Sequence, residues 1–596
     1  MQYNQHEKHA EGFINKTIQY ISHVIAVCTA FALYIYAAFF YRFAFNYETE
    51  IKGQYLAALI AVMALTIIWG LNIFRKKENK VQYVGVIIIT LLLLIPAFYD
   101  KYSFANEYCT VVLSVLILFA CLAFLPAAII VTLPYFLLVM LLWQLWLAFE
   151  QMDGLNFYVN ELNVQGSLQN SGIFSCYLVI HLPLLYYVAF HKPVSGHLIK
   201  WLKAALFLII VVFIGFVIYR SQSRSAIIGI VAGIVSLGLF MHWTTLKRWL
   251  QHIPARSLII ATCLFLPAAA YAVWHLFFLK KASAFGRVMK WEIAGRHIGD
   301  HFFTGTGIGR FSWYYPQWQA HYFATTPHPP QVYYLSAGDS YIIFNEYLQL
   351  FETIGLVGFA GFVLLLYWFF RSQSVQYSLL LSALKATMVT LLATGLVTYA
   401  IHVNVFLVLL AICFAVAAVI SHKPRFMWRG VIPSTLLFIL CAYTTFTLYQ
   451  KWKAAESWNV QLESGAVAAP ELNKQLNHDG KFLTEYGQWQ LDNGHPKEAV
   501  ATLEKARQYF ISRNTMEALA SAYEEAGNYA AAIETRKWLC NFLPNRFVPK
   551  YKLLQLYQKT GDTTSAKKMA GIILTMPVKI PSAEVDQIKE AAKNIN

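Results

Sequence analysis

Two arginines stand in a short polar turn between apolar segments. Arg220 and Arg224 lie in YRSQSRSAIIGI at 219–230. A guanidinium group stays charged at physiological pH, and its planar fork matches two oxygens of a phosphate. The pair therefore indicates a phosphate or pyrophosphate site at a membrane surface. The alternative interpretation is that each arginine only extends from a helix end to the membrane–water interface.

A second polar segment contains further arginines and a glycine-rich turn. Its sequence, GRVMKWEIAGRHIGDHFFTGTGIGRF, carries Arg287 and Trp291 at the start of a predicted amphipathic segment and Arg296 near its end. The TGTGIG turn at 304–309 offers backbone N–H groups that can face an anion. It has neither the strand and helix of a dinucleotide site nor the lysine of a P-loop, so nucleotide binding is excluded.

The histidines and cysteines do not form a metal-binding pattern. His297 and His301 have i, i+4 spacing, but the glutamate of an HExxH motif and a third ligand are missing, so neither a metal nor another cofactor is predicted. His181 and His402 fall in or beside apolar segments, where we expect neutral rings hydrogen-bonded to a neighbouring helix. The eight cysteines contain no CxxC pair and indicate no disulfide framework.

The elements that must position these residues are membrane helices. The 596 residues are 58% hydrophobic and only 13% charged, and a bilayer span takes about 20 apolar residues. We predict an all-α, polytopic helical membrane domain over 1–450, with about 12–13 transmembrane helices and one large loop at about 280–353. The candidate spans are 18–41, 54–74, 81–98, 108–126, 129–149, 171–190, 204–220, 224–241, 257–279, 354–370, 386–403, 405–420 and 431–449.

The net charge of +16 is concentrated in short loops, at 75–80, 192–203, 247–256 and 423–429. Clusters of this kind are typical of cytoplasmic loops. They predict a cytoplasmic N-terminus and place the large loop and the C-terminal part outside, in the periplasm of a bacterial inner membrane. The basic character therefore reflects membrane topology, and no nucleic acid partner is predicted.

Residues 451–596 have the composition of soluble helices. Gly494, Gly527 and Gly561 recur at intervals of 33 and 34 residues, each with an alanine five positions later. This period resembles that of tetratricopeptide repeats, in which a helix pair turns at the glycine. We predict a TPR-like α-solenoid, with about three repeats as the minimum for a stable stack. Such a domain offers a docking surface for a protein or a glycan.

The segment SYIIFNEYLQLFETIGLVG closes the large loop. Asn345, nine residues, Gly355, two residues and Gly358 is the spacing that ends the large loop of O-antigen ligases. Arg224 at the head of an apolar span and Arg287 in the loop precede it in the same order. On these motifs the chain resembles the superfamily of O-antigen ligases, O-antigen polymerases and protein O-oligosaccharyltransferases.

The resemblance implies an inverting, metal-independent glycosyl transfer. The donor would be a glycan linked to undecaprenyl pyrophosphate, and the acceptor a hydroxyl of a glycolipid, a glycan or a protein. Arg224 and Arg287 would bind the pyrophosphate, and Asn345 would belong to the catalytic segment. The further candidates for substrate binding are Arg220, Arg296, His328 and Trp291.

Phe344 stands where the family has a histidine that would activate the acceptor. Either Glu346 or a loop residue such as His328 or Asp339 replaces it as the base, or charge stabilisation carries the transfer without a base. The remaining alternative is that the chain binds lipid-linked glycan without transferring it. Outside the enzyme class, a scaffold that recruits envelope enzymes and a transporter of lipid-linked glycans stay open.

Overall fold

The computed structural model describes residues 2–43, 51–73, 102–103, 106–123, 125–153, 164–192, 196–279, 281–421, 431–464 and 470–595. In this part of the chain the regular structure is helical, apart from an isolated bridge between Phe43 and Val403. The predicted all-α, polytopic membrane fold is therefore confirmed. The predicted span at 81–98 lies outside the described residues.

The membrane part consists of long apolar helices joined by short connections. They are α1 (Gln2–Phe39), α2 (Lys52–Ile73), α3 (Glu107–Ala123), α4 (Ala127–Ile130), α5 (Leu133–Asp153), α6 (Ser171–Phe190), α7 (His197–Ser221), α8 (Arg224–Gln251) and α9 (Ala255–Leu279). After the loop helices α10 (Lys281–Arg296), α11 (Phe311–Thr325) and α12 (Gln331–Ser336) come α13 (Glu346–Phe370), α14 (Ser378–Thr394), a short 3₁₀ turn (Ala400–His402), α15 (Asn404–Ile420) and α16 (Val431–Ser464).

Seven helices in the described part are long and apolar enough to cross a bilayer. They are Phe13–Phe39, Lys52–Leu71, Ala127–Met152, Ser171–Phe190, His197–Ser221, Arg224–Trp249 and Glu346–Phe370. Three shorter apolar helices (α3, α14 and α15) pack among them. The predicted domain boundary at 450 falls inside α16, which continues without a break from the apolar segment into the C-terminal part.

The outer surface of this bundle is apolar. On α7 the side chains of Leu206, Leu208, Ile209 and Val212 are each 60–64% exposed. A continuous apolar face of this kind is unfavourable in water and is expected where lipid covers the protein. It supports the prediction that α7 is a membrane helix.

Small residues allow close helix packing behind the candidate site. A Cβ added to Gly229 would lie 2.6 Å from the Cγ2 atom of Thr394, and one added to Gly233 would lie 2.5 Å from the Oγ1 atom of Thr390. The two glycines are four residues apart and thus share one face of α8. This contact fixes the N-terminal half of α8 against α14.

The large loop folds into a small helical domain of its own. Its core contains Met289 and Ile293 of α10, Phe311 and Tyr315 of α11, and Ile343 of the segment before α13. These side chains are at most 2% exposed. Because the core joins α10 to the segment that precedes α13, it determines which side chains of α10 meet that segment.

The C-terminal part forms successive antiparallel helical hairpins. Its helices are α17 (Pro470–Leu476), α18 (Gly480–Asp492), α19 (Pro496–Tyr509), α20 (Arg513–Glu525), α21 (Tyr529–Phe542), α22 (Phe547–Lys559), α23 (Thr563–Thr575) and α24 (Ala583–Lys593). Gly494, Gly527 and Gly561 sit at three of the turns with φ of 79°, 79° and 75°. Glycine adopts this left-handed backbone without a steric penalty, which explains its recurrence.

Helices α17–α24, which we call the helical-repeat domain, dock on the membrane part through buried polar contacts. The Asp479 carboxylate accepts hydrogen bonds from Gln54 (2.7 Å) and Tyr55 (2.8 Å) of α2. Lys481 forms an ion pair with Glu107 at 2.6 Å, and both side chains are only 11–12% exposed. The domain is thus fixed to the ends of α2 and α3.

A second set of contacts joins the helical-repeat domain to the loop domain. Trp313 Nε1 donates to the carbonyl oxygen of Arg507 at 2.8 Å. Gln319 Nε2 donates to the carbonyl oxygen of Phe542 at 2.7 Å. The loop domain and the helical-repeat domain therefore lie on the same side of the membrane bundle.

Candidate functional site

The candidate site lies where the loop domain returns to the membrane, at the start of α13. This helix is interrupted at Gly355, whose φ is 62° and ψ −174°. Beside the break, Leu356 N donates to Phe302 O at 2.8 Å. A Cβ on Gly305 would lie 2.4 Å from the backbone C and O atoms of Thr353. The glycines of the motif thus permit two backbone segments to touch.

The TGTGIG turn closes this contact from the loop side. Its N–H groups donate to backbone carbonyls: Gly305 N to His301 O (2.7 Å), Thr306 N to Glu352 O (2.7 Å) and Gly307 N to Thr353 O (2.9 Å). The expectation that these N–H groups face an anion is therefore wrong. The turn holds the loop domain against α13 and does not serve as an anion-binding nest.

Arg224 is placed by a tight serine-rich turn. Helix α7 ends at Ser221, Gln222 adopts a left-handed conformation with φ of 49°, and α8 begins at Arg224. Ser221 Oγ and Ser175 Oγ of α6 are hydrogen-bonded at 2.7 Å. The Arg224 side chain is only 9% exposed, and its Nη2 atom lies 3.4 Å from Ser283 Oγ of α10.

Arg287 approaches from α10. Its Nη1 donates to Val397 O at 2.6 Å, whereas its buried Nε–H has no hydrogen-bond partner among the described residues. Burial and the positive charge of Arg224 lower the pKa of Arg287 to about 10. The two arginines that the sequence singled out, although 63 positions apart, therefore lie close enough to repel each other.

Phe344 forms one wall of the same site. It has φ of 62°, which is uncommon for a non-glycine residue. The ring centroid lies 5.0 Å from Arg287 Cζ and 4.4 Å from Lys290 Nζ. Contacts of this type between a cation and a ring are worth about 0.5–2 kcal/mol. The residue that replaces the family's histidine thus faces two cations.

Lys290 is a candidate that the sequence analysis missed. It lies three residues after Arg287 and so on the same face of α10. Its side chain is 9% exposed, and Nζ donates to Ser340 Oγ at 2.6 Å. Burial, with a further contribution from Arg287, lowers its pKa to about 7. The i, i+3 spacing from Arg287 was the available signal in the sequence.

Asn345 and Trp291 hold the backbone of this segment. The Asn345 side chain caps α13 by accepting from Leu348 N at 3.0 Å. Trp291 Nε1 donates to Ile343 O at 3.0 Å. Both residues therefore flank Phe344 and position it. Trp291, predicted to contact substrate, uses its polar atom for this backbone contact.

Glu346 is buried and does not face water. One carboxylate oxygen accepts from Ile401 N at 2.7 Å, and the other lies 2.9 Å from His402 Nδ1. The side chain is 3% exposed. Because both oxygens are engaged, the geometry favours a structural role for Glu346, and its predicted role as the base gains no support.

The other predicted binding residues that carry a charge or an imidazole lie at three different places in the fold. Arg296 is exposed, pairs with Glu292 at 2.6 Å and sits about 14 Å along α10 from Arg287. His328 is exposed in the connection between α11 and α12. Arg220 occupies the last turn of α7, four residues before Arg224 and across the serine turn.

The two histidines of the apolar segments bond to neighbouring helices, as predicted. His181 Nε2 lies 2.8 Å from the Tyr34 hydroxyl of α1. His402 Nε2 lies 3.0 Å from Gln349 Nε2 of α13. In the described part of the chain no three His, Cys, Asp or Glu side chains are arranged to hold a metal ion.

An apolar cavity of about 360 Å³ opens between α6, α7 and α8. Leu182, Ile230 and Leu237 are among its lining residues. Ile230 and Leu237 lie about 9 and 20 Å along α8 from Arg224. The cavity therefore extends into the membrane on the helix that begins at Arg224.

Comparison with known proteins agrees with this geometry. No curated protein matches the chain. The sequence profile of the O-antigen ligase family matches residues 209–363, which include the serine turn, the loop domain and the Gly355 break. This segment unites the arginines and Phe344 at the membrane surface, and it carries a domain of the O-antigen ligase family.

Proposed function

We propose that the chain transfers a glycan from a lipid-linked pyrophosphate donor to a hydroxyl acceptor at the periplasmic face of a bacterial inner membrane. The O-antigen ligase domain supports glycosyl transfer of the ligase or polymerase type. Undecaprenyl pyrophosphate as the carrier and inversion at the anomeric carbon are the finer parts of the proposal, and they come from the family resemblance.

The convergence of cations carries this proposal. Arg287 lies against Phe344, with Arg224 beside it. Among the described residues no Asp or Glu forms an ion pair with Arg287. Buried cations normally have anionic partners. A pyrophosphate would supply that charge and would accept the free Nε–H of Arg287.

The donor's lipid has a suitable path beside these cations. The apolar cavity between α6, α7 and α8 begins at Ile230, about 9 Å along α8 from Arg224, and continues away from it within the membrane part. A polyprenyl chain in that cavity would place its pyrophosphate at the arginines. During transfer, Arg224 and Arg287 would stabilise the negative charge that develops on the leaving pyrophosphate, which is usually the largest single contribution to such a reaction.

The acceptor would approach from the side of the helical-repeat domain. A cavity of about 500 Å³ lies between the loop domain and the repeats, with Trp313, Tyr523 and Trp538 in its lining. Aromatic faces suit both sugar rings and peptide side chains. This surface supports protein O-oligosaccharyl transfer as the second candidate, in which the repeats present a protein acceptor.

The transporter and scaffold alternatives predict different behaviour. A transporter needs a path across the membrane, whereas the cations here are gathered at one end of the bundle. A scaffold needs no buried cation cluster. The placement of Arg287 over Phe344, next to Asn345, therefore favours a transferase.

Complementation of a deletion strain tests the proposal. The strain would carry wild type, Arg224→Ala, Arg287→Ala or the control Arg371→Ala, whose arginine lies at the opposite end of α13. Lipopolysaccharide ladders, protein glycosylation and membrane levels of each variant would be measured in the same cells. We expect the first two variants to lose one glycan product and Arg371→Ala to retain it. Full complementation by both Arg224→Ala and Arg287→Ala would refute the proposal.

The product that disappears identifies the acceptor. Loss of the lipopolysaccharide ladder would indicate a glycolipid acceptor, and loss of protein glycosylation a protein acceptor. Shortened glycans still attached to their carrier would indicate a polymerase.

A further inference from the structure

Lys290 has surroundings that are unusual for a lysine. Its ammonium end lies inside the loop domain, 9% exposed, rather than in water. The Phe344 ring lies 4.4 Å from Nζ, and Ser340 Oγ lies 2.6 Å from it. None of the described carboxylates pairs with it. Such a site disfavours the charged form of an amine.

The hydrogen-bond directions are compatible with a neutral amine. Ser340 donates its own proton to Ile342 O at 3.3 Å, so its oxygen accepts the hydrogen bond from Lys290. A neutral amine can donate one N–H to Ser340 and keep its lone pair for another proton. The contact with Ser340 thus positions the nitrogen and leaves its lone pair unused.

Among the described charged and titratable groups of the surrounding elements, none forms an ion pair with Lys290. Arg287 on its own helix repels a positive charge at Nζ, and Arg224 of α8 lies beside Arg287. From the segment before α13, Asp339 accepts a hydrogen bond from Tyr341. The α13 carboxylate nearest in sequence, Glu346, is occupied by His402 and Ile401. From α11, the buried phenol Tyr315 contributes no negative charge.

We propose that Lys290 is the general base that removes the proton from the acceptor hydroxyl, an inference that rests on the proposed transfer reaction. Arg287 and Lys290 both face the Phe344 ring, the position at which the resemblance implies a histidine base. Inversion requires the hydroxyl to attack from the side opposite the pyrophosphate, so the donor sugar would lie between Nζ and the pyrophosphate held by the arginines. The lowered Lys290 pKa of about 7 allows a large neutral fraction at neutral pH.

The step balances in atoms and charge. The acceptor oxygen forms a bond to the anomeric carbon while the bond from that carbon to the pyrophosphate oxygen breaks. The electron pair of the broken bond leaves with the pyrophosphate, and the hydroxyl proton passes to Lys290 Nζ. A new ammonium charge therefore appears on Lys290 at the moment when the pyrophosphate gains one negative charge.

A lysine can also act only as a third cation for the pyrophosphate, and two substitutions separate the roles. Lys290→Arg keeps a permanent positive charge but cannot accept a proton. Lys290→Gln removes the charge and the base together. If Lys290 only binds the pyrophosphate, the arginine variant keeps its transfer rate. If Lys290 is the base, both variants lose about 10²–10⁴-fold in rate.

The assay would use the full-length protein in nanodiscs. Its substrate would be the lipid and glycolipid extract of a strain that lacks the chain, which retains unused donor and acceptor. Release of undecaprenyl pyrophosphate would be followed from pH 5.5 to 9. Binding of farnesyl pyrophosphate, measured separately, would confirm that each variant is folded and retains its cation site.

We expect wild-type kcat/KM to fall about tenfold per pH unit below a pKa near 7, since a protonated lysine cannot act as a base. Lys290→Arg would bind farnesyl pyrophosphate yet release little product. A Lys290→Arg rate equal to that of wild type, or a wild-type rate independent of pH across the range, would overturn the assignment. If wild type itself releases no undecaprenyl pyrophosphate, the proposed function fails, which is a distinct result.

Discussion

Gly305 supports the site from a distance, and its replacement by alanine tests that support. The backbone of Gly305 has φ of 72°, and an added Cβ would lie 2.4 Å from the C and O atoms of Thr353 and 2.5 Å from Gly355 N. These are backbone atoms, so no flexible side chain can move aside. Relief of the overlap must separate the TGTGIG turn from the break in α13.

The magnitude follows from two contributions. A non-glycine residue in the left-handed region costs about 1–2 kcal/mol. Forcing extra atoms into a filled region costs about 1–3 kcal/mol. Gly305→Ala is therefore expected to lower the free energy of unfolding by about 2–5 kcal/mol. The entropy of unfolding is about 2.1 cal/mol/K per residue, so for cooperative unfolding of the 596 residues the melting temperature falls by about 2–4 °C.

The assay is thermal unfolding of purified protein in one detergent, with glycan transfer measured on the fraction that remains folded. Gly295→Ala is the matched control, because its Cβ would meet no atom within 4 Å and it lies in the last turn of α10. We expect the control to be as stable as wild type or slightly more stable. If Gly305→Ala and Gly295→Ala have the same melting temperature, the turn does not hold α13 and this explanation of the motif is wrong.

Four further predictions follow from individual contacts. Glu346→Ala should lower stability by about 1–3 kcal/mol for each partner left unsatisfied, measured by thermal unfolding, with transfer per folded molecule changed much less. Lys481→Met should make the helical-repeat domain more sensitive to limited proteolysis, since loss of one member of a buried pair costs about 3–5 kcal/mol. The control Lys593→Met removes one member of an exposed pair and should leave the cleavage rate unchanged. Phe344→His in a Lys290→Gln background should recover part of the transfer rate, because histidine tolerates positive φ and supplies a base at the same place. In the protein without donor, the free energy of unfolding should rise with pH above about 7, because Lys290 is then deprotonated in the folded chain but still protonated in the unfolded chain. Thermal unfolding of Lys290→Met should show a smaller rise over the same pH range.

The sequence predicted the helices that carry the site, because hydropathy and glycine spacing are local properties of the chain. Apolar segments of bilayer length predict membrane helices, and the glycine intervals predict helical hairpins. Arg224 was identified because an arginine at the edge of an apolar span is unusual, and Arg287 because the resemblance implies an arginine at that place in the loop. Their proximity was expected from the resemblance, and the structure places them together.

The remainder depends on tertiary contacts that sequence patterns do not display. In the sequence, Lys290 resembles any lysine of an amphipathic helix. Its burial against Phe344 is visible only in the folded loop domain. Glu346 was a candidate for the base, but its carboxylate is engaged by His402, 56 positions further along the chain. The TGTGIG turn has the composition of an anion-binding loop, yet the N–H groups of Thr306 and Gly307 donate to α13.

The central claim is that the cations beside Phe344 bind a lipid-linked pyrophosphate. Binding of farnesyl pyrophosphate and of farnesol to the purified protein tests it most directly, with Arg287→Ala and the control Arg371→Ala measured in parallel. Loss of a hydrogen bond to a charged group costs about 1.5–3 kcal/mol, so Arg287→Ala should weaken farnesyl pyrophosphate binding about 10–150-fold. Farnesol binding and the Arg371→Ala variant should be unaffected. Equal affinity for the pyrophosphate in wild type and Arg287→Ala would contradict the account.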